Sequence, residues 1–331
     1  MKKLLVIGGG GYCASVLVPQ LLDQYDVTIY DTFWYGKSHF NDHKNLTLVN
    51  GDVRDIEKLK ASLKNQNLIL HLACISNDAS FELDENLSTS INLNSFEPIV
   101  VAAKEAGVKR FVFASSSSVY GVSDKPDVTE EHPLVPLTLY NKYKGMCEPL
   151  LLKHVDKDFC GVIFRPATVC GYGPRLRLDL SVNILTNHAI NKEKITVFGG
   201  DQLRPNLHIQ DYADLCKKLL IEKEELVSGE IFNCGYENMS IMNIALSVKK
   251  VVEKVFPEKK DIQIEVTSSD DPRSYHISSE KIKNKLNFVP KYSVEDAIYD
   301  LCIAFKNNLI PNSFDNDNYY NVRTMKKLNI K

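Results

Sequence analysis

The stretch MKKLLVIGGGGYCA, residues 1–14, decides the fold. Residues 4–7 form an apolar run of strand length, which stops at the four consecutive glycines of residues 8–11, and the next residues are typical of the start of a helix. Glycines allow a sharp turn and the close approach of a phosphate, and a helix N-terminus offers free N–H groups and a positive dipole end. A strand, a glycine turn and a helix in this order therefore predict a phosphate-binding turn, with a plain turn as the alternative.

A carboxylate strengthens this interpretation. The second apolar run, residues 26–30, ends at Asp31. A carboxylate at the end of the second strand can accept the hydroxyls of an adenosine ribose and would repel a 2′-phosphate, whereas the simpler alternative is that Asp31 caps a loop. Together with the spacing Gly8-x-x-Gly11-x-x-Ala14, Asp31 predicts dinucleotide binding, and NAD rather than NADP.

The following segments alternate between apolar runs of strand length and helical patterns. Strands are expected at residues 46–49, 68–72 and 110–114, and helices at 56–63 and 87–106. This alternation predicts an α/β fold with a doubly wound parallel sheet, whose ligands bind at the carboxyl ends of the strands. At that edge Asp52 either faces the adenine amino group or caps the helix at 56–63.

The alternating rhythm ends near Pro166. We therefore predict a dinucleotide-binding domain over residues 1–165, to which residues 205–235 return, and a smaller, discontinuous mixed α/β lobe for substrate over residues 166–331. In this second part the patterns indicate helices at 182–191, 240–255 and 294–305 and a strand at 194–198. Asp211 is expected to cap a helix at 212–221, His208 to be a packed strand residue, and the polar tail 311–331 to run over the surface.

The composition excludes several classes of protein. The 331 residues are 44% hydrophobic and 25% charged with a net charge of −2, so no nucleic-acid partner is expected. We find no apolar segment long enough for a membrane span and no signal-peptide core. The eight cysteines form no C-x-x-C pair or metal-ligand cluster. We expect reduced cysteines, no metal site and a cytoplasmic protein.

Two polar groups lie where the nicotinamide is expected. Four serines, Ser115 to Ser118, follow the strand at 110–114 directly. Tyr140 and Lys144 are four residues apart, so on a helix they share one face. A lysine beside a tyrosine lowers the pKa of the phenol, which can then act as a general base. The spacing Tyr-x-x-x-Lys is weak evidence alone, but after a dinucleotide-binding half-domain it favours catalysis.

These motifs together resemble the extended short-chain dehydrogenase/reductase family, in the branch of NAD-dependent epimerases and dehydratases of nucleotide-linked sugars. The resemblance extends over nearly the whole chain and includes Asn92. The block from Arg165 through the segment GPRLRLDL to Asn183 is similar to that of the GDP-heptose 4-dehydrogenases of capsule synthesis, and other blocks resemble nucleotide-sugar 4-epimerases. Ala14 in place of the third glycine is a modest departure that the motif tolerates.

The resemblance implies a Rossmann-type fold, tightly bound NAD, a nucleotide-diphosphate sugar as substrate, and a homodimer formed by the helices at 87–106 and 140–155. It implies that Tyr140 is the base, that Lys144 holds the nicotinamide ribose, and that Ser116 binds the reacting oxygen, with Ser117 possible if the register slips by one. The implied cofactor-binding residues are Gly8, Gly10, Gly11, Tyr12, Cys13, Asp31, Asp52, Val53, Leu72, Ala73, Tyr140, Lys144 and Pro166. The implied substrate-binding residues are Ser117, Arg175, Asn183, Arg204 and Arg273.

The expected reaction is oxidation at C4 of the nucleotide-linked sugar, with epimerisation if the hydride returns to the other face, in surface polysaccharide synthesis. The alternative is a 4-dehydrogenase that releases the keto sugar. A 4,6-dehydratase is less expected, because Ser117 and Ser118 stand where that subgroup carries an acid pair, and an alcohol is a poor proton donor. A non-catalytic NAD sensor is disfavoured by the complete Ser/Tyr/Lys set.

Overall fold

A computed structural model of the chain describes residues 1–123, 125, 127–268 and 274–330. Its strands are β1 Lys2–Ile7, β2 Tyr25–Asp31, β3 Leu46–Asn50, β4 Leu68–His71, β5 Arg110–Ala114, β6 Cys160–Pro166, β7 Thr168–Cys170, β8 Lys194–Phe198, β9 Leu203–His208, β10 Ile231–Cys234, β11 Glu237–Ser240 and β12 Gln263–Thr267.

Seven of these strands form one parallel sheet in the order β10-β6-β5-β4-β1-β2-β3. Consecutive strands run outwards from β1 in both directions, so the strand order reverses between β1 and β4. A crevice opens at the carboxyl ends of the strands at such a reversal, and it is there that open α/β sheets bind their ligands. The predicted Rossmann-type, doubly wound sheet is confirmed.

Helices cover both faces of this sheet and form the second lobe. The helices are α1 Tyr12–Leu17, α2 Ile56–Leu63, α3 Asp78–Phe81, α4 Glu85–Thr89, α5 Phe96–Glu105, α6 Leu139–Leu152, α7 Ser181–Lys192, α8 Ile209–Ile221, α9 Glu224–Val227, α10 Ile241–Val255, α11 Glu280–Leu286, α12 Val294–Lys306 and α13 Asn321–Leu328. One apolar core lies between the sheet and α1, α8 and α11, and another lies between the sheet and α2, α5 and α6.

The second lobe has its own core. Helices α7, α10 and α12 pack together and against β8, which pairs with β12 in a two-stranded parallel sheet. A three-stranded sheet, β11-β9-β7, connects this lobe to the end of β6. These smaller sheets account for the loss of the regular alternation after Pro166.

The helix predicted at 87–106 is interrupted by a π-helical turn, Ser90–Asn94, between α4 and α5. Pro98 explains the interruption, because it has no N–H to donate to the carbonyl of Asn94 and its ring crowds that carbonyl. Asn92 in this turn is buried, and its side chain makes two hydrogen bonds to the backbone of Ile75, of 2.8 and 2.9 Å. The interruption therefore fixes the segment that follows β4, where the crevice opens.

Two local predictions were wrong. His208, rather than Asp211, caps α8, because its Nδ1 accepts a hydrogen bond from the backbone N–H of Gln210. The carboxylate of Asp211 instead accepts the N–H groups of Lys291 and Tyr292, at 2.9 Å each, and so fixes the approach to α12. The tail does not simply run over the surface, since α13 inserts Met325 into the core of the large sheet.

Candidate active site

A deep pocket lies at the carboxyl ends of β1, β4, β5 and β6. Most of the residues predicted to bind the cofactor line it: Gly8, Gly11, Tyr12, Cys13, Asp31, Asp52, Val53, Leu72, Ala73, Tyr140, Lys144 and Pro166. Gly10 lies beneath this surface and donates its backbone N–H to Asp31 at 2.9 Å. The fold thus brings side chains from the ends of several strands to one place.

The glycine turn is shaped so that a dinucleotide could lie against it. Gly8 has φ +81°, and a Cβ there would lie 2.3 Å from the backbone nitrogen of Ala73. A Cβ on Gly10 would lie 2.9 Å from the carboxyl carbon of Asp31. Only glycine allows β1, the segment after β4 and Asp31 to approach each other this closely. The residues present fit the pyrophosphate and adenosine of a dinucleotide.

Asp31 is held at the edge of this turn. Its two oxygens accept the N–H groups of Gly10, at 2.9 Å, and Phe33, at 2.6 Å. Burial raises the pKa of the carboxyl, and these two hydrogen bonds oppose the shift. Its orientation toward the pocket suits the ribose hydroxyls of adenosine.

Asp52 forms a bidentate ion pair with Arg54, with a shortest distance of 2.7 Å. Although burial acts in the opposite direction, the hydrogen bonds from Arg54 lower the pKa of the Asp52 carboxyl. The helix α2 is capped by Asp55, whose side chain accepts the N–H of Lys58 at 3.0 Å. Asp52 is therefore not the helix cap and lies in the pocket wall.

The four serines have different hydrogen-bond partners. The Ser115 hydroxyl donates to Glu148 at 2.6 Å and is buried. Ser116 and Ser118 share a hydrogen bond of 2.7 Å, and Ser118 donates to the side-chain oxygen of Asn141 at 2.5 Å. Because Asn141 follows Tyr140 directly, this chain of hydrogen bonds ties the end of β5 to the start of α6. Ser117 also lines the pocket, although it is only 1% exposed.

Helix α6 carries Tyr140 and Lys144 into the pocket. Its N-terminus is fixed by Thr138, which accepts the N–H of Asn141 at 3.3 Å and donates to Asp78 at 2.5 Å. The Lys144 ammonium is buried and donates to the carbonyl oxygen of Ala114 at 2.7 Å. The two residues stand on the same face of the helix, at the end of β5.

The expected lowering of the Tyr140 pKa is not found in the protein alone. Burial raises the pKa of the phenol well above its ordinary value, and Cys74 and Asp78 add to the shift. Arg177 is the nearby cation that opposes it. The ammonium of Lys144 donates to the Ala114 carbonyl at the end of β5.

Sequence reasoning missed part of the pocket wall. Arg177 lines it and makes a two-point ion pair with Asp179, at 2.9 and 3.1 Å, and a hydrogen bond to Ser76 at 2.9 Å. Asn321, at the start of α13, also reaches the pocket and donates to Ser76 at 3.2 Å. Arg177 lies in the quoted GPRLRLDL block and could have been found there, whereas no sequence signal marks Asn321.

The predicted substrate residues are not brought together in one place. Arg175 and Ser117 line the pocket. Asn183 is fully buried outside this lining. Its side-chain oxygen accepts the N–H of Gly171 and its side-chain nitrogen donates to the carbonyl of Arg177, so that it shapes the arginine-bearing loop. Arg204 is half-buried beside the pocket residue Tyr275, with 6.0 Å between its guanidinium and the ring centroid. Arg273 lies outside the described residues.

Other expectations concern cysteines, metals and membranes. All eight cysteines are unpaired thiols. Within the described ranges, no group of His, Cys, Asp and Glu side chains is arranged to hold a metal ion. A helix long and apolar enough to cross a membrane is likewise not found in that part of the chain.

Known proteins share this architecture along almost the whole chain. The glycan biosynthesis protein Agl12 of Haloferax volcanii is 28% identical over 312 residues, which cover 91% of this chain and 97% of that protein. A UDP-glucose 4-epimerase of Corynebacterium glutamicum is 28% identical over 320 residues, covering 89% and 94%. The crystal structure of the UDP-glucose 4-epimerase of Thermotoga maritima superposes with a TM-score of 0.82 at 22% identity, covering 93% of this chain and 99% of that one.

The family is defined by the N-terminal two thirds of the chain. Residues 4–235 match the sequence profile described as the NAD dependent epimerase/dehydratase family. This segment contains the glycine turn, Asp31, the serines, Tyr140 and Lys144, which meet in the pocket. The protein belongs to the NAD-dependent epimerase/dehydratase family, and it is an enzyme whose cofactor is NAD.

Proposed function

We propose that the protein is a nucleotide-sugar 4-epimerase, which oxidises C4 of a sugar carried on a nucleoside diphosphate and then reduces the ketone from the other face. The observation that supports it best is the convergence of Ser116, Tyr140 and Lys144 at the end of β5, inside a pocket that also holds the glycine turn. NAD, when bound, accepts a hydride from the sugar carbon and returns it. The relatives named as UDP-glucose 4-epimerases agree with this reaction.

In this proposal Tyr140 takes the proton of the C4 hydroxyl and later gives it back. Ser116 contacts the same oxygen, because the hydrogen bonds through Ser118 to Asn141 hold its hydroxyl at the pocket wall. Arg177 supplies positive charge that stabilises a phenolate, and the ammonium of Lys144 is placed for the hydroxyls of a ribose.

Ser117 and Ser118 stand where 4,6-dehydratases carry an acid pair, which argues against dehydration. Dehydratases and decarboxylases are nevertheless also among the relatives. Asp78 is a carboxylate of the pocket wall, close enough to Tyr140 to raise the pKa of its phenol. Asp78 lies in α3 and accepts a hydrogen bond from Thr138 at 2.5 Å, so it does not stand directly after the strand-end serine, where the dehydratases carry their acid pair. We therefore place epimerisation ahead of loss of water.

A 4-dehydrogenase is the second candidate. The block that resembles the GDP-heptose 4-dehydrogenases contributes both Arg175 and Arg177 to the pocket wall. This shared block is the observation that favours the 4-dehydrogenase. The two reactions share the oxidation and differ in whether the keto sugar is reduced again before release. The name of the Haloferax relative supports a role in glycan synthesis for either product, and a homodimer through α4–α6 belongs to the same proposal.

The test is a panel of UDP-, GDP-, dTDP- and CDP-sugars incubated with the purified protein in deuterated water and followed by NMR. Inversion at C4 without deuterium at C5 supports the epimerase. Accumulation of a ketone that retains all its oxygens indicates the dehydrogenase instead, and deuterium at C5 with loss of water would contradict both.

Two variants on one helix test the base. Tyr140→Phe should lower kcat by about 10²- to 10⁴-fold, since general-base catalysis contributes that much, while the NAD content stays unchanged. Tyr143→Phe is the matched control, because it also removes a tyrosine hydroxyl, three residues further along α6. The Tyr143 hydroxyl makes a 3.5 Å hydrogen bond with Thr89. A Tyr140→Phe enzyme as active as the Tyr143→Phe enzyme would disprove the assignment of the base.

A further inference from the structure

The guanidinium of Arg175 is buried in the pocket wall with part of its hydrogen-bonding capacity unused. The residue is 5% exposed, and its Nε has no hydrogen-bond partner within the described part of the chain. One terminal nitrogen donates to the side-chain oxygen of Asn321 at 2.6 Å, and the guanidinium lies 4.0 Å from the ring centroid of Tyr35. A buried donor without a partner is costly, so its retention in a pocket wall points to a ligand.

The charge of Arg175 is also uncompensated, unlike that of its neighbour. Arg177 is paired with Asp179, whereas no carboxylate of the described residues lies within ion-pair distance of Arg175. Asp31 and Asp179 act on Arg175 only from further away. Burial, together with the repulsion from Arg177, lowers the pKa of Arg175 to about 10. An anion entering the pocket would relieve both the unused donor and the unpaired charge.

The position of Arg175 identifies which anion this is. Its backbone N–H donates to the hydroxyl of Ser15 in α1 at 3.2 Å, so the loop lies against the helix that follows the glycine turn. Its side chain faces Tyr35 and lies near Asp31, at the end where adenosine is expected, while Arg177 lies nearer to Tyr140. The phosphates of a dinucleotide join these two ends.

We propose that Arg175 binds the pyrophosphate of NAD, and that Asn321 of the C-terminal helix positions its guanidinium for this contact. A planar guanidinium can hold two phosphate oxygens at once through Nε and a terminal nitrogen. The sequence resemblance assigns Arg175 to the substrate, and the geometry therefore transfers it to the cofactor.

Asn321 connects this contact to the end of the chain. Its side-chain oxygen accepts from Arg175, its amide donates to Ser76, and its backbone N–H donates to Asp179 at 3.1 Å. Helix α13 is anchored by Met325 in the core of the large sheet. Cofactor affinity consequently depends on a helix that begins 146 residues after the arginine.

The test compares ligands that differ by their phosphates. Full-length protein depleted of cofactor is titrated calorimetrically with adenosine, ADP, NAD and NADP, and UDP is titrated into the NAD-loaded protein. Arg175→Gln should weaken ADP and NAD by about 10- to 100-fold, as expected for a charged hydrogen bond, and leave adenosine within about twofold. The matched control is Arg323→Gln, which removes an exposed arginine that lies outside the pocket, 4.1 Å from the ring of Tyr320. This variant should bind ADP, NAD and adenosine with unchanged affinity.

Four results would overturn the proposal. An equal loss of affinity for adenosine and ADP would place the guanidinium against the nucleoside. A loss of affinity confined to NADP would place it at a 2′-phosphate, and one confined to UDP would place it at the substrate. Unchanged ADP affinity would show that Arg175 contacts no phosphate. If Arg175→Gln fails to fold, as judged by circular dichroism, Arg175→Lys replaces it. The lysine keeps the charge without the fork, and the proposal requires that it still weakens ADP more than adenosine.

Asn321→Ala tests the positioning role separately. It should weaken NAD by about 3- to 10-fold, the loss typical of one hydrogen bond, and it should weaken NAD no further when Arg175 is already replaced by glutamine. An Asn321→Ala variant that binds NAD as tightly as the wild type, or whose loss is undiminished in the Arg175→Gln background, would refute the coupling.

Discussion

Replacing Glu148 with glutamine should destabilise the protein strongly, although the two side chains have the same shape. Glu148 of α6 and Arg165 of β6 are 2% and 3% exposed, and their charged groups make hydrogen bonds of 2.6 and 2.9 Å. Glu148 also accepts the Ser115 hydroxyl at 2.6 Å. Glu148 therefore joins the helix that carries Tyr140 both to β6 and to the first of the serines that follow β5.

The magnitude follows from the distance and the burial. Two unit charges 2.6 Å apart attract by about 6 kcal/mol at an effective dielectric constant of about 20, and desolvation offsets part of this energy. The Glu148→Gln substitution would leave Arg165 charged in the core and would direct an amide N–H₂ group at a cation or at the Ser115 hydroxyl. Removing one partner of a buried ion pair costs about 3–5 kcal/mol, out of a typical total stability of about 5–15 kcal/mol.

Urea unfolding of Glu148→Gln and of the double variant Glu148→Gln/Arg165→Met measures this cost. The double variant should be more stable than Glu148→Gln alone, because it no longer buries an unpaired charge. Tyr120 tolerates the loss of Arg165, since its hydroxyl still donates to Asn233 at 2.7 Å. A loss below about 1 kcal/mol for Glu148→Gln, or strictly additive losses in the double variant, would refute the reasoning.

Three further predictions concern the cofactor turn, the cofactor choice and a buried histidine. Gly8→Ala should lower the free energy of unfolding by roughly 2–5 kcal/mol, because φ at Gly8 is positive and the new Cβ would lie 2.3 Å from the Ala73 nitrogen. The control Gly107→Ala, at φ +79° in open space, should lower it by only about 1–2 kcal/mol, and thermal melts measure both. Asp31→Asn should raise the affinity for NADP relative to NAD by about tenfold or more in titrations, because the repulsion of a 2′-phosphate is removed, and an unchanged ratio would contradict the role of Asp31. Burial, with Lys144 adding to it, lowers the pKa of His71 to about 3, below the value of about 6.5 in the unfolded chain. The contribution of the neutral His71 to the free energy of unfolding is therefore complete above pH 6.5 and is lost as the pH falls toward 3. Between pH 7 and pH 5 the wild type should lose about 2 kcal/mol through this residue, a loss that His71→Leu should not show in urea unfolding at the two pH values.

The parts of the site that the sequence predicted are those determined by short stretches of chain. A strand end fixes where the next few side chains lie, because parallel strands present their carboxyl ends at one edge of the sheet. Asp31 and Ser116 could therefore be placed in the crevice from the pattern of the strands, and Tyr140 and Lys144 on one helix face from their spacing. The doubly wound parallel sheet could be predicted for the same reason, since alternating strands and helices allow few arrangements.

The parts that the sequence did not predict depend on long-range contacts. The predicted low pKa of Tyr140 was inferred from spacing alone, but burial raises this pKa, and the Lys144 ammonium donates to the carbonyl of Ala114 at the end of β5. Asn321 contacts Ser76 across 245 residues of sequence, and its approach depends on α13 packing into the core of the large sheet. An asparagine near the end of a polar tail carries no local pattern that distinguishes it from its neighbours. Its role follows only from the buried arginine that it contacts, and that arginine itself resembles a substrate ligand until Tyr35 and Asp31 are seen beside it.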